Sequence, residues 1–155
     1  MKSLPSEPDR AVSLSLCTGR SMFLVMVRLT GKEREFLEKN EVCRLATSDR
    51  TGVPHVVPVC YIFHRGAVYI ATDYGTKKFR NVKENPKVAL VVDTYKPHRA
   101  VLIQGRVEIL ERGEEFREVR ELFYRRFKWA RDDPWEEGEA PILKIIPEKK
   151  LSWGL

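Results

Sequence analysis

A small, mainly β, antiparallel barrel with flanking helices is the fold this 155-residue sequence predicts. Three observations lead there. Short strand-like runs recur, each bounded by Gly, Pro, Asn or Asp. The connections between them are too short for parallel crossovers, so neighbouring strands run antiparallel. One long run, residues 100–110, carries Gly105 at its middle, where a bulge or a barrel bend fits.

The elements follow in order. Residues 1–25 are rich in Ser and Pro without a sustained period, and are expected to be a mobile tail. Folded-looking sequence begins at Met26, so residues 26–155 are read as one domain, and the tail as a possible product of start-site choice. Thr30 to Asn40 reads as a short helix, with Thr30 and Glu33 in capping-box spacing. Val42 to Ser48 is a strand, and 49–52 a turn. Val53 to His64 is a second strand-like run containing Pro54 and Pro58, which mark it as edge-like because proline cannot donate to a ladder. Arg65-Gly66 turns the chain into a strand from Ala67 to Thr72.

Thr76 to Glu84 is a helix stopped by Asn85-Pro86. Lys87 to Asp93 is nearly continuous in apolar residues, as a fully buried strand would be. Ala100 to Leu110 is the long strand. Glu114 to Lys128 is the clearest helix, with Phe116, Val119, Phe123 and Phe127 on one face and Leu122 widening it. A charged loop (131–139), a last strand (Pro141 to Ile146) and a tail complete the chain.

Composition excludes several classes. No run approaches the roughly 18 apolar residues of a membrane span, and the best, 11–27, is broken by Thr18, Gly19 and Arg20. No signal-peptide pattern precedes it, so a cytoplasmic protein is expected. Cys17, Cys43 and Cys60 lack metal-knuckle spacing, and His55, His64 and His98 lack helical ligand spacing. No metal site is expected. Cys43 and Cys60 lie in apolar runs and read as buried thiols.

The formal net charge is +6. Residues 74–106 hold eight Lys and Arg against Glu84 and Asp93, an excess equal to that of the whole chain. At the centre stands Ala71-Thr72-Asp73-Tyr74-Gly75-Thr76-Lys77-Lys78: a strand end, a glycine turn and a helix start. The first N–H groups of a helix have no intrahelical acceptor and attract anions. Lysines in the first turn are unfavourable unless an anion is bound. These residues fit a phosphate site, and equally a solvated basic helix.

Taken together, Arg44-Leu-Ala-Thr47, G-V-P-H-V-V-P-V (52–59), Y-I-A-T-D-Y-G-T-K-K (69–78), N-V-K-E-N-P (81–86) and V-A-L-V-V-D (88–93) resemble the pyridoxamine 5′-phosphate oxidase-like flavin-binding superfamily. The resemblance runs from about residue 30 to 110 and implies a six-stranded split β-barrel. It also implies a homodimer with FMN, or in some branches the deazaflavin F420, at the interface. By motif, Arg44 matches a cofactor-phosphate arginine, with Leu45, Ala46 and Thr47 along the same wall. Pro58 and Val59 would pass the isoalloxazine, Ala71 and Thr72 would flank the ribityl chain, and Thr76, Lys77 and Lys78 match the phosphate-binding stretch. Trp153 reads either as an aromatic beside the flavin or as an anchor for the C-terminal segment.

Two departures separate the chain from true pyridoxamine-phosphate oxidases. The substrate-gripping segment with Arg and His has no counterpart in K-L-S-W-G-L (150–155), and the flavin-contacting Gln falls at Ala100, with Gln104 four residues on. The resemblance therefore implies an FMN-binding oxidoreductase with a small-molecule substrate and no identified general base. An F420-dependent reductase is the alternative, and a non-enzymatic nucleic-acid-binding barrel the reading from another class.

Overall fold

The computed structural model describes residues 27–155. The expectation of a mobile tail at 1–25 lies outside the described residues. Seven strands form one antiparallel sheet in the order β2-β1-β5-β6-β7-β4-β3. The strands are β1 (Val42–Ser48), β2 (Pro54–Cys60), β3 (Ile62–His64), β4 (Ala67–Ala71), β5 (Lys87–Thr94), β6 (Arg99–Leu110) and β7 (Ile142–Trp153). The helices are α1 (Gly31–Lys39), α2 (Lys77–Glu84), α3 (Glu114–Arg126) and α4 (Lys128–Asp132).

The run read as one strand over 53–64 is two. It breaks at Tyr61, the single residue between β2 and β3, and those halves stand at opposite ends of the sheet order. The bent chain therefore links the two edges and curls the sheet into a barrel. Tyr61 is fully buried at the bend, and its hydroxyl donates to the Leu37 carbonyl of α1 at 2.5 Å. As expected, Pro54 and Pro58 sit on an edge strand, where a missing donor costs no ladder bond.

The last strand is longer than expected. Seven residues beyond the expected end at Ile146 continue β7, from Pro147 to Trp153. Gly105 makes this continuation possible. The register between β6 and β7 shifts at Gln104/Gly105, which places Gly105 opposite Pro147. A Cβ on Gly105 would lie 2.1 Å from the Ile146 carbonyl oxygen, so only glycine admits the close approach.

Alternation along each strand divides the core in two. Inward residues Cys43, Leu45, Val68, Ile70, Val88, Leu90, Val92, Val101, Ile103, Leu143 and Ile145 fill the barrel. Helix α1 adds Phe36 and Leu37 to it, and α2 adds Phe79 and Val82. On the outer side of β3, β4 and β7, Ile62, Tyr69 and Ile142 pack beneath Phe116, Val119 and Phe123 of α3. Both faces of β4 are thus covered. The capping box of α1 is present: Thr30 Oγ1 accepts from the Glu33 N–H, and Glu33 accepts from the Thr30 N–H.

Strand β5 departs from the expectation of full burial. Val88, Leu90 and Val92 are buried inward, but Ala89 and Val91 on the outer face are only half-buried. The same outer face carries Ala46, Leu102 and Leu151 half-buried, Pro58 exposed, and Val56 at 65% exposure. Among the described residues no helix covers this apolar face.

Candidate functional site

Helix α2 begins where the sequence placed it. Thr76 is its N-cap in extended geometry, and no acidic residue occupies the first turn. The Thr76 hydroxyl donates to the Asp73 carbonyl at 2.9 Å and accepts from the Phe79 N–H at 3.4 Å. It also stands 3.0 Å from the hydroxyl of buried Thr72. Thr76 is thus committed to shaping the turn. The backbone N–H groups of Lys77 and Lys78 lie in the part of the helix that has no intrahelical acceptor. Their ammonium groups make no ion pair among the described residues, with Lys77 exposed and Lys78 half-buried. Arg80 folds back to donate to the Gly75 carbonyl at 3.0 Å.

A residue that sequence reasoning passed over fixes this helix to the sheet. Asn81, 1% exposed, donates its side-chain amide to the hydroxyl of Thr47, 4% exposed, at 3.0 Å. One turn later Asn85 donates to Ser48 at 2.9 Å. A polar Asn on the buried side of an otherwise apolar helix face was the available signal, and its partner 34 residues away was not legible.

The four candidates on β1 are divided by the pleat. Leu45 and Thr47 point inward, while Arg44 and Ala46 point to the uncovered outer face. They therefore do not form one wall. Arg44 pairs with Asp93 at 2.7 Å, with side-chain exposures of 53% and 36%, so its charge already has a local counterion. Pro58 stands opposite Arg44 on the outer face. Val59 points inward and packs on the barrel core. Ala71 ends β4 and packs against the cluster under α3, and Thr72 closes the turn with Thr76.

Trp153 lies at the far end of the same outer face, paired with Ala100 across β6 and β7. Its indole N–H donates to His98 Nε2 at 3.2 Å, and the two rings meet edge to face at 5.9 Å. Ala100 is fully buried, whereas Gln104 is exposed on the outer face opposite Ala89 and Lys149. The structure thus brings Thr47, Thr72, Thr76, Lys77 and Lys78 to one end of the barrel, and gathers Arg44, Ala46, Pro58 and Trp153 on its open face.

A cleft of about 290 Å³ flanks α2, between Lys77, Arg80, Asn81 and Glu84 on the helix and Asp49, Arg50 and Thr51 on the β1–β2 turn. Three cations and two carboxylates line it. Asp49 holds the turn itself, accepting from the Thr51 and Val53 N–H groups at 2.8 and 3.1 Å. Its bond to Thr51 is the main reason that its carboxyl lies below the ordinary value.

Cys43 does not read as a nucleophile. Burial pushes the Cys43 thiol up to about 12. Cys60 is half-buried on the opposite face, short of the full burial expected. No group of three His, Cys, Asp or Glu side chains placed to hold a metal occurs among the described residues, and none of their helices is long and apolar enough to cross a membrane.

Comparison with known proteins agrees with this architecture. The sequence profile of the family described as "Pyridoxamine 5′-phosphate oxidase" matches residues 29–154. A 5a,11a-dehydrotetracycline/5a,11a-dehydrooxytetracycline reductase of Streptomyces rimosus is 40% identical over 135 residues, covering 81% of this chain and 83% of the relative. An uncharacterized protein of Methanocaldococcus jannaschii is 33% identical over 135 residues, covering 83% and 85%. Among solved structures, HutZ, a heme storage protein from Vibrio cholerae, superposes with a TM-score of 0.68 at 18% identity, covering 81% of this chain and 94% of that one. At that identity the likeness is one of fold.

Proposed function

The chain belongs to the pyridoxamine 5′-phosphate oxidase-like superfamily, and on that premise we propose that it is an FMN-dependent oxidoreductase acting on a small molecule as a cytoplasmic homodimer. The observation that carries the reading is the start of α2. Two lysines and two backbone N–H groups without an intrahelical acceptor occupy its first turn, which holds no carboxylate. A bound phosphate monoester turns that electrostatic cost into a gain.

The flavin, when bound, supplies the hydride chemistry. The chain's own residues bind and orient. Lys77 and Lys78 hold the phosphate. Thr72 and Thr76 set the turn that aims them. Thr47 and Asn81 pin the helix to β1. The half-open outer face of β5, with Val56 and Pro58 beside it, supports a second copy as its cover, since an apolar strand face left in water is the mark of an interface. Arg44 and Trp153 lie on that face and would meet the cofactor across the pair. The similarity to a dehydrotetracycline reductase supports reduction of a substrate as the direction of the reaction.

F420 is the second reading. The cleft beside Lys77 carries Arg50 and Arg80, and an acidic cofactor tail leaving the phosphate site would pass between them.

Absorbance and released-cofactor mass spectrometry of the purified protein test both readings. A flavin spectrum, with FMN lost in Lys78→Glu, is expected. Tighter binding of F420 than of FMN favours the second reading. A colourless protein that binds neither cofactor on titration refutes both, and a Soret band on adding hemin would point to heme instead. Salt-sensitive binding to single strands would favour the nucleic-acid reading.

A further inference from the structure

We propose that a cavity at the other end of the barrel binds a small aromatic carboxylate. The cavity, about 220 Å³, lies between α1, the start of β6 and Leu155. It shares no lining residue with the cleft beside α2. The proposal therefore does not rest on the lysines of α2.

Helical spacing builds one wall. Lys32, Glu35, Phe36 and Lys39 follow at i, i+3, i+4 and i+7, so all four project from one side of α1. Phe36, 8% exposed, and half-buried Leu155 pack on the barrel core and give an apolar floor. Arg99 stands on the remaining side.

The charges around this floor do not cancel. Lys39 Nζ meets the Glu35 carboxylate at 2.6 Å, and that bond holds the carboxyl below its ordinary value. Glu35 thereby compensates Lys39. Lys32 and Arg99 make no ion pair or side-chain hydrogen bond among the described residues. Two cations without an ion pair among the described residues, set over an apolar floor, select a ligand with a flat hydrophobic body and a negative end. The volume lies below the 300–1,000 Å³ or so of drug-sized pockets, which sets the size at one or two rings.

Calorimetric titration of the full chain with 2-naphthoate tests the site, with 2-naphthylmethanol as the neutral analogue. One saturable site per chain is expected. Lys32→Glu, Arg99→Glu and the neutral analogue should each weaken binding by about tenfold or more, the loss of one charge-assisted bond. Lys128→Glu, the same change of net charge on α4, should leave the affinity unchanged. Thermal melting of each variant, with Lys32→Gln and Arg99→Gln as milder replacements, separates loss of the site from loss of the fold. Absence of saturable binding, equal affinity for the alcohol, or an equal loss in Lys128→Glu would overturn the proposal. So would reversals that alter the molar mass by light scattering while leaving naphthoate affinity intact, because that assigns the face to a second copy.

Discussion

The bond between Thr47 and Asn81 tests how firmly α2 is held to the barrel. Both residues are buried, at 4% and 1% exposure, and their 3.0 Å bond crosses from β1 to the helix that carries Lys77 and Lys78. Thr47→Val keeps the side-chain shape but leaves the Asn81 amide without its acceptor. Stranding a buried polar group costs about 1–3 kcal/mol. For a chain of this length 1 kcal/mol shifts the melting temperature by about 2–4 °C, so a central loss of about 2 kcal/mol gives about 4–8 °C. Asn81→Leu strands the Thr47 hydroxyl and should cost a similar amount. The double variant strands neither group, so its loss should fall short of the sum of the single losses by about 1–2 kcal/mol. Urea unfolding at fixed protein concentration, read as a change of midpoint at constant slope, measures all three. Under the proposed function each single variant should also weaken FMN binding, because the lysines proposed to hold the phosphate ride on α2. Losses that add within about 0.5 kcal/mol would show that the two groups are not coupled, and would refute this account of the anchor.

Three further outcomes follow from other parts of the molecule. Burial alone would raise the Glu33 carboxyl, but its bonds to Lys150, Thr30 and Ser152 bring it below its ordinary 4.5, and Lys144 and Tyr69 do the same for Glu115 against its burial. The folded state then binds fewer protons than the unfolded one. The stability these groups contribute is complete above pH 4.5 and disappears as pH falls through the lowered folded values. Melting temperature followed into acid should drop over that window, and Glu33→Gln should flatten the drop. Gly105→Ala drives a Cβ to 2.1 Å from a backbone oxygen and should cost about 3 kcal/mol or more, so a variant that melts like the parent would contradict the bulge geometry. Cys43, buried with its thiol pushed up to about 12, should stay unmodified by maleimide in the native protein and react after unfolding, as peptide mass spectrometry can show.

Much of the fold was legible because local chemistry dictates it. The strand expected at Val42–Ser48 forms with those bounds, the capping box at Thr30 and Glu33 forms as its spacing requires, and the bulge falls at Gly105. What the sequence concealed depends on distant partners. The charged stretch Glu148-Lys149-Lys150 looks like a tail, yet Lys150 and Ser152 pair with buried Glu33, more than a hundred residues away. Val53–His64 reads as one strand because nothing local marks Tyr61, whose bend is fixed by its bond to α1. The expected helix over 114–128 ends at Arg126, where Phe127 leaves helical geometry before α4 begins. In the site, residue types were readable at the start of α2, but the facing of each side chain was not. Motif resemblance set Arg44 beside Thr47, and the two-residue period of a strand turned them to opposite faces.

The place of β7 has a consequence for how the chain is made. The last strand in sequence, Ile142–Trp153, is an inner strand in space, lying between β6 and β4. A ribosome releases β1 to β6 first, and those strands wait with the flanks of β6 and β4 open. Unpaired flanks of this kind recruit strands from other chains. Closure of the barrel therefore waits for β7, whatever the order in which the other strands form. A chain stopped before Ile142 retains the turn and lysines of α2 but has no way to seal the sheet beside them.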